Sequence, residues 1–211
     1  MAVTTTGPPG ATPAPEPVAA PTGLESLDVR KLGMWAFLGS ECVFFGSLIT
    51  TFFVYRNVII SGASGEPLPR DVLGINFTAL LAFILVTSSL TMVLSINAAT
   101  QNKPRTAGLW LLATAALGTF FLAGQTYEFT KLAQEGLTLT SGIFGQCFLT
   151  LTGFHGTHVF VGVIWLLSCL PRTMNGTFNA GNFMGLEMVG LYWHFVDVVW
   201  VVIFTLIYLL P

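Results

Sequence analysis

The sequence is short of charge. Asp, Glu, Lys and Arg make up 9% of its 211 residues, where a soluble domain carries about 25%. So few ionised groups do not cover a water-facing surface, which excludes an ordinary soluble domain. A net charge of −2 offers no basic face, so nucleic acid is not expected as a partner. Cysteine is scarce too: Cys42, Cys147 and Cys169 are the only three. All lie in apolar stretches and none forms a CxxC pair, so they read as small buried hydrophobes, not as a disulfide framework or a zinc site. There are three histidines, too few and too dispersed to build a haem-and-copper centre. Walker, GxSxG and HExxH motifs are missing. The chain is therefore not expected to hold a redox centre alone.

The first 23 residues lack Lys and Arg and hold six of the eleven prolines. Without a basic start or an apolar h-region they do not resemble a signal peptide. Residues 1–31 read as a disordered Pro/Ala/Thr-rich tail with too little apolar surface to offset the entropy of ordering.

What the chain has is hydrophobicity, at 53% of residues. A bilayer core about 30 Å thick needs about 20 apolar residues as helix. Five stretches qualify: roughly 32–56, 72–98, 106–130, 141–170 and 186–210. Lipid offers nothing to hydrogen-bond an open strand, so each is a helix. The fold class is all-α, an integral membrane bundle of five transmembrane helices over 32–211. The links "SGASGEPLPRD" (61–71), "QNKPR" (101–105), "QEG" (134–136) and "PRTMNGTFNAGN" (171–182) carry turn chemistry. No internal repeat appears, which disfavours an inverted-repeat transporter. Arg30, Lys31, Lys103, Arg105 and Arg172 fall on the N-terminal side, against Arg56, Arg70 and Lys131 opposite. That bias predicts a cytoplasmic N-terminus and an external C-terminus.

Ionisable side chains inside a span are costly and face protein or water. The candidates are Glu41, Glu128, Glu187 and Asp197, with His155, His158 and His194. At about 1.5 Å per residue, Glu41 lies about 13 Å, Asp197 about 15 Å and His158 about 18 Å from the cytoplasmic ends of their spans, so the three can share a midplane layer. His194 and Asp197, three apart, share a helix face. Asp197 is placed to accept from an indole or imidazole N–H and pin the last span to its neighbours, the fourth above all. His155 and His158 sit at i, i+3 in "GFHGTH" among small residues, which suits close helix contact; metal binding with His194 and a carboxylate is the weaker alternative. Glu41 is either a neutral acid bonded to a neighbour or a proton-handling group. Glu128, beside Tyr127 and Lys131, reads as an interface anchor. Glu187 suits a helix N-terminus.

Four motifs carry a resemblance: "SECVFF" in the first span, "QTYEF" closing the third, "GFHGTHVFVG" in the fourth and "YWHFVDVVW" in the fifth. In that order they resemble subunit III of haem-copper oxidases, over about 32–211. The resemblance implies the five-span bacterial form, which lacks the usual first helix pair. It also implies a plasma-membrane subunit without haem or copper of its own. Such a subunit packs on oxidase subunits I and II, within a respiratory supercomplex in some assemblies. It stabilises the haem- and copper-bearing subunit, sustains its proton uptake and binds phospholipid between helices. It further implies that Glu41 matches the family's intramembrane glutamate, His155 and His158 its GxHG-x-H element, and His194 and Asp197 its WHF-x-D element. Glu at 41 and Tyr at 192 lean toward a cytochrome c oxidase. A quinol oxidase subunit, and more remotely a nitric-oxide reductase accessory protein or a stand-alone proton or solute carrier using Glu41, His158 and Asp197, are the alternatives.

Overall fold

The computed structural model of the protein describes residues 29–60 and 74–209. All but three residues of the expected tail lie outside the described residues, as does the 61–71 link. Five helices are long and apolar enough to cross a membrane: α1 (Val29–Ile60), α2 (Ile75–Thr100), α3 (Pro104–Gln134), α4 (Ile143–Met174) and α5 (Met184–Ile203). The α5 helix runs on as a widened, π-type turn over Phe204–Leu209.

Most helices overrun the spans read from the sequence. The apolar runs stop at the first charges, but a helix keeps its hydrogen-bond ladder through charged residues into the head-group zone. Arg30, Lys31 and Arg56 all lie inside α1, and Lys131 inside α3. At α4 the helix continues through Pro171 to Met174. Pro171 removes only one donor, and the last turn is finished by a cap. There Gly176 adopts φ 74°; its N–H donates to Thr173 O at 3.1 Å and the Thr177 N–H to Arg172 O at 3.0 Å. This pairing satisfies carbonyls that a helix end leaves open. The same closure ends α3 at Gly136 (φ 88°) and α2 at Asn102 (φ 57°), Asn being a side chain that tolerates this backbone. The "QN", "EG" and "NG" pairs are thus the physical stops.

The short links make α2, α3 and α4 successive antiparallel neighbours. The α5 helix closes a four-helix bundle by packing between α2 and α4, and α1 leans on α4 and α5 from outside. Lys31 pairs with Glu187 at 2.6 Å, Phe37 stacks on Tyr192, and Phe45 approaches Phe195; α1 and α5 therefore run parallel, as two odd-numbered spans must. The half-exposed Lys31–Glu187 pair contributes at most about 1 kcal/mol. On the same side, Asn102 Oδ1 accepts from the Ala180 N–H at 3.1 Å and joins two connections.

Packing in a bilayer does not draw on the hydrophobic effect between helices; it depends on close contact, which small residues permit. The centre shows this. The buried Trp193 ring lies in a slot where Gly118 of α3 and Gly162 of α4 lack side chains, and a methyl group at either would crowd the ring. About two turns further, Trp200 stacks on His155 with centroids 4.9 Å apart, and Phe121 meets both edge-on.

Candidate functional site

The polar side chains within the spans form three ties between helices. The first joins α1 to α4. His158 Nδ1 lies 2.8 Å from Phe154 O, and Nε2 lies 3.2 Å from Glu41 Oε2. A carbonyl only accepts, so Nδ1 carries hydrogen. Nε2 then meets Glu41 either as an imidazolium facing a carboxylate or as an acceptor facing a carboxylic acid. The pair is neutral overall in both forms, which avoids a net charge in hydrocarbon. Phe44 and Phe45 flank the imidazole. Of the expected midplane layer, Glu41 and His158 meet directly.

Asp197 does not join them. Ser89 of α2 donates its hydroxyl to Asp197 Oδ2 at 2.6 Å, and His194 Nδ1 lies 3.1 Å from the same Ser89 oxygen. The serine hydrogen is committed to Asp197, so the oxygen accepts from His194 Nδ1–H. His194 and Asp197 thus share a face as their spacing requires, but that face meets α2, not α4. The rotation of α5 decides this: Tyr192, two residues before His194, faces α4 and donates its hydroxyl to His158 O at 2.9 Å. The indole N–H of Trp193 goes to Ser88 Oγ at 2.9 Å, not to Asp197.

The third tie is at the opposite end from Lys31. Glu128 of α3 is 6% exposed. Its Oε1 accepts from Thr78 of α2 at 2.7 Å and from Tyr208 of the widened turn at 3.4 Å. Glu128 is therefore a buried bridge and not an interface anchor; its neighbour Tyr127, at 64% exposed, holds the anchor position.

His155 parts from His158. It is fully buried, with both ring nitrogens unpartnered among the described residues, between Phe121 and Trp200. Near it, Gln125 donates to Thr152 O at 2.8 Å and ties α3 to α4. Among the described residues, no three of His, Cys, Asp and Glu converge as a metal ligand set.

The sequence reading missed the acceptors and donors on α2: Thr78, Ser88 and Ser89. The signal was present. Ser88, Thr91 and Ser95 recur at i, i+3 and i+7, one helix face, and all are buried. Thr91 meets Thr114 of α3 at 2.8 Å and Ser95 donates to Ala107 O at 2.9 Å, so this polar stripe faces protein.

The fold and its ties define a multi-pass membrane protein whose intramembrane carboxyls Glu41, Glu128 and Asp197 each join helices. Residues 22–210 match the family described as cytochrome c oxidase subunit III. A cytochrome c oxidase subunit 3 of Bacillus sp. (strain PS3) is 38% identical over 91% of this chain and 92% of its own length. A probable quinol oxidase subunit 3 of Staphylococcus epidermidis is 35% identical over 87% and 90%. A cytochrome c oxidase subunit 3 of Synechocystis sp. is 39% identical over 87% of this chain and 76% of its own length. The chain belongs to the subunit III family of haem-copper oxidases.

Proposed function

We propose that this chain is the non-catalytic accessory subunit of a proton-pumping cytochrome c oxidase in a bacterial plasma membrane, with its N-terminus in the cytoplasm. It packs on subunits I and II, stabilises the subunit that holds haem and copper, and supports proton uptake while oxygen is reduced to water. The observation that carries this reading is where the chemistry-bearing residues go. Glu41 with His158, Asp197 and His194 with Ser89, and Glu128 with Thr78 and Tyr208 are each engaged between helices. Such residues hold a scaffold together and are not disposed as ligands. A cleft of about 340 Å³ between α1 and α4, lined by Leu48 and Ile143 and by the polar Thr51, Tyr55, Gln146 and Thr150 among others, is where we place a bound phospholipid.

Expected on this reading is that Glu41→Ala leaves the haem content of the complex unchanged and slows or shortens turnover. Oxygen consumption through repeated turnovers, alongside the visible spectrum, is the measurement. Abolished activity in a fully assembled complex would show that Glu41 has a larger part than assigned here.

A quinol oxidase is the second reading, supported by the Staphylococcus relative at an identity close to that of the Bacillus one. Glu41 and Tyr192 favour the cytochrome c type. A dinuclear copper signal in the intact complex separates the two, since a quinol oxidase lacks that centre. Robust Glu41-dependent proton flux through the isolated chain in liposomes would instead support a carrier.

A further inference from the structure

Residues 194 and 195 of α5 point to opposite neighbours: His194 reaches Ser89 of α2 and Phe195 reaches Phe45 of α1. The strip of α5 between them continues at i+3 and i+4 through Val198, Val201 and Val202, which are 61%, 43% and 39% exposed. Because α1 leans on α4 and α5 while α2 leans on α3 and α5, this strip is the floor of a groove with α1 and α2 as walls. Val86 and Val93, a turn to either side of Ser89, are exposed on the α2 wall.

The groove is apolar except at one point. His194 is partly exposed, and its only hydrogen-bond partner among the described residues is Ser89, at Nδ1. With Nδ1–H donating to Ser89, Nε2 is a bare acceptor. Three residues before Asp197, it lies about 11 Å into the span, within the hydrocarbon core. Asp197 Oδ1, one turn on, is buried without a partner. Polar groups at that depth are satisfied by protein, because hydrocarbon supplies no donors.

We infer that this groove seats a transmembrane helix of another oxidase subunit, one that presents a hydrogen-bond donor such as Ser, Thr, Asn or Tyr at the level of His194. The inference rests on the subunit III reading. An acyl chain fits the valines but leaves Nε2 unmet. A second copy of this chain in two-fold contact fares no better: Phe195 and the three valines carry no donor, and Thr205 already donates its hydroxyl to Val201 O at 2.8 Å. The small, β-branched floor admits a helix at close range, as membrane helix contacts require.

The test uses the intact complex in its own membrane. A benzophenone amino acid replaces Val198, whose exposure leaves room for it, and adducts formed on illumination are identified by mass spectrometry. The expected product is a crosslink to a membrane-spanning peptide of a co-purifying oxidase subunit, with a donor side chain in that peptide, and loss of this crosslink in a His194→Leu background. Adducts with lipid alone, or with another copy of this chain, would overturn the inference while other oxidase subunits still co-purify. If no haem-bearing subunit co-purifies at all, it is the subunit III reading that fails.

Discussion

Trp193→Ala is expected to be the most damaging single change, destabilising the bundle by about 3 kcal/mol, the low end of the range for aromatic truncation in a core. The low end applies because part of that range is the gain of moving a side chain from water to an apolar interior, and lipid is as apolar as the bundle. What remains is lost contact. The ring fills the space that Gly118 and Gly162 leave open on two helices, and neither backbone can close the gap. Overfilling the same slot with Gly118→Val should cost about 1–3 kcal/mol. Losing only the indole acceptor with Ser88→Ala should cost less, about 0.6 and at most about 1.7 kcal/mol. Unfolding of the purified complex in a denaturing detergent series gives the comparison, with Leu109→Ala on the exposed face of α3 as the control, expected within about 0.5 kcal/mol. If Trp193→Ala and Leu109→Ala unfold alike, the glycine slot is not what holds α3, α4 and α5 together.

The same slot marks the boundary of what the sequence discloses. Span number and the all-helical class follow from run length against bilayer thickness, a one-dimensional quantity. That Glu41, His158 and Asp197 lie at similar depths follows nearly as directly, because depth along a regular helix is a count of residues; that Glu41 meets His158 while Asp197 turns to Ser89 does not follow from depth. Which neighbour a face meets is a different quantity, set by the rotation of each helix and by the order of helices around the bundle. Spacing placed His194 and Asp197 on one face correctly. It did not say that this face turns to α2, where the partner is Ser89, a residue with no strong signal of its own. Glu128 shows how fine the dependence is. One residue is 100° of helix, and that step separates exposed Tyr127 from the buried carboxyl beside it. The π-type turn at Phe204–Leu209 adds a local change of register, common at functional positions, that no apolar periodicity in a uniformly hydrophobic stretch would reveal.

Glu128→Ala is expected to destabilise the bundle by about 1–3 kcal/mol, the cost of one buried polar group left without a partner. Thr78 keeps the carbonyl of Gly74 at 3.2 Å, and the buried Tyr208 hydroxyl, which donates to Glu128 at 3.4 Å, also lies within reach of the Thr78 hydroxyl. The penalty therefore falls on the Thr78–Tyr208 pair, with Tyr208 losing its carboxyl acceptor. Glu128→Gln keeps a carbonyl acceptor at the same reach and should cost under about 1 kcal/mol. The double variant Glu128→Ala, Tyr208→Phe should cost less than the sum of its parts, since groups that share a bond do not add. Both comparisons read the same unfolding transition. A Gln variant as damaged as the Ala variant would mean that the carboxyl contributes through its charge and not as an acceptor. Additive single variants would mean that the 3.4 Å contact does not hold the turn. Either result would remove the tie that joins α2, α3 and the end of α5, and leave the widened turn to be explained by packing of Tyr208 on Phe148 and Phe204.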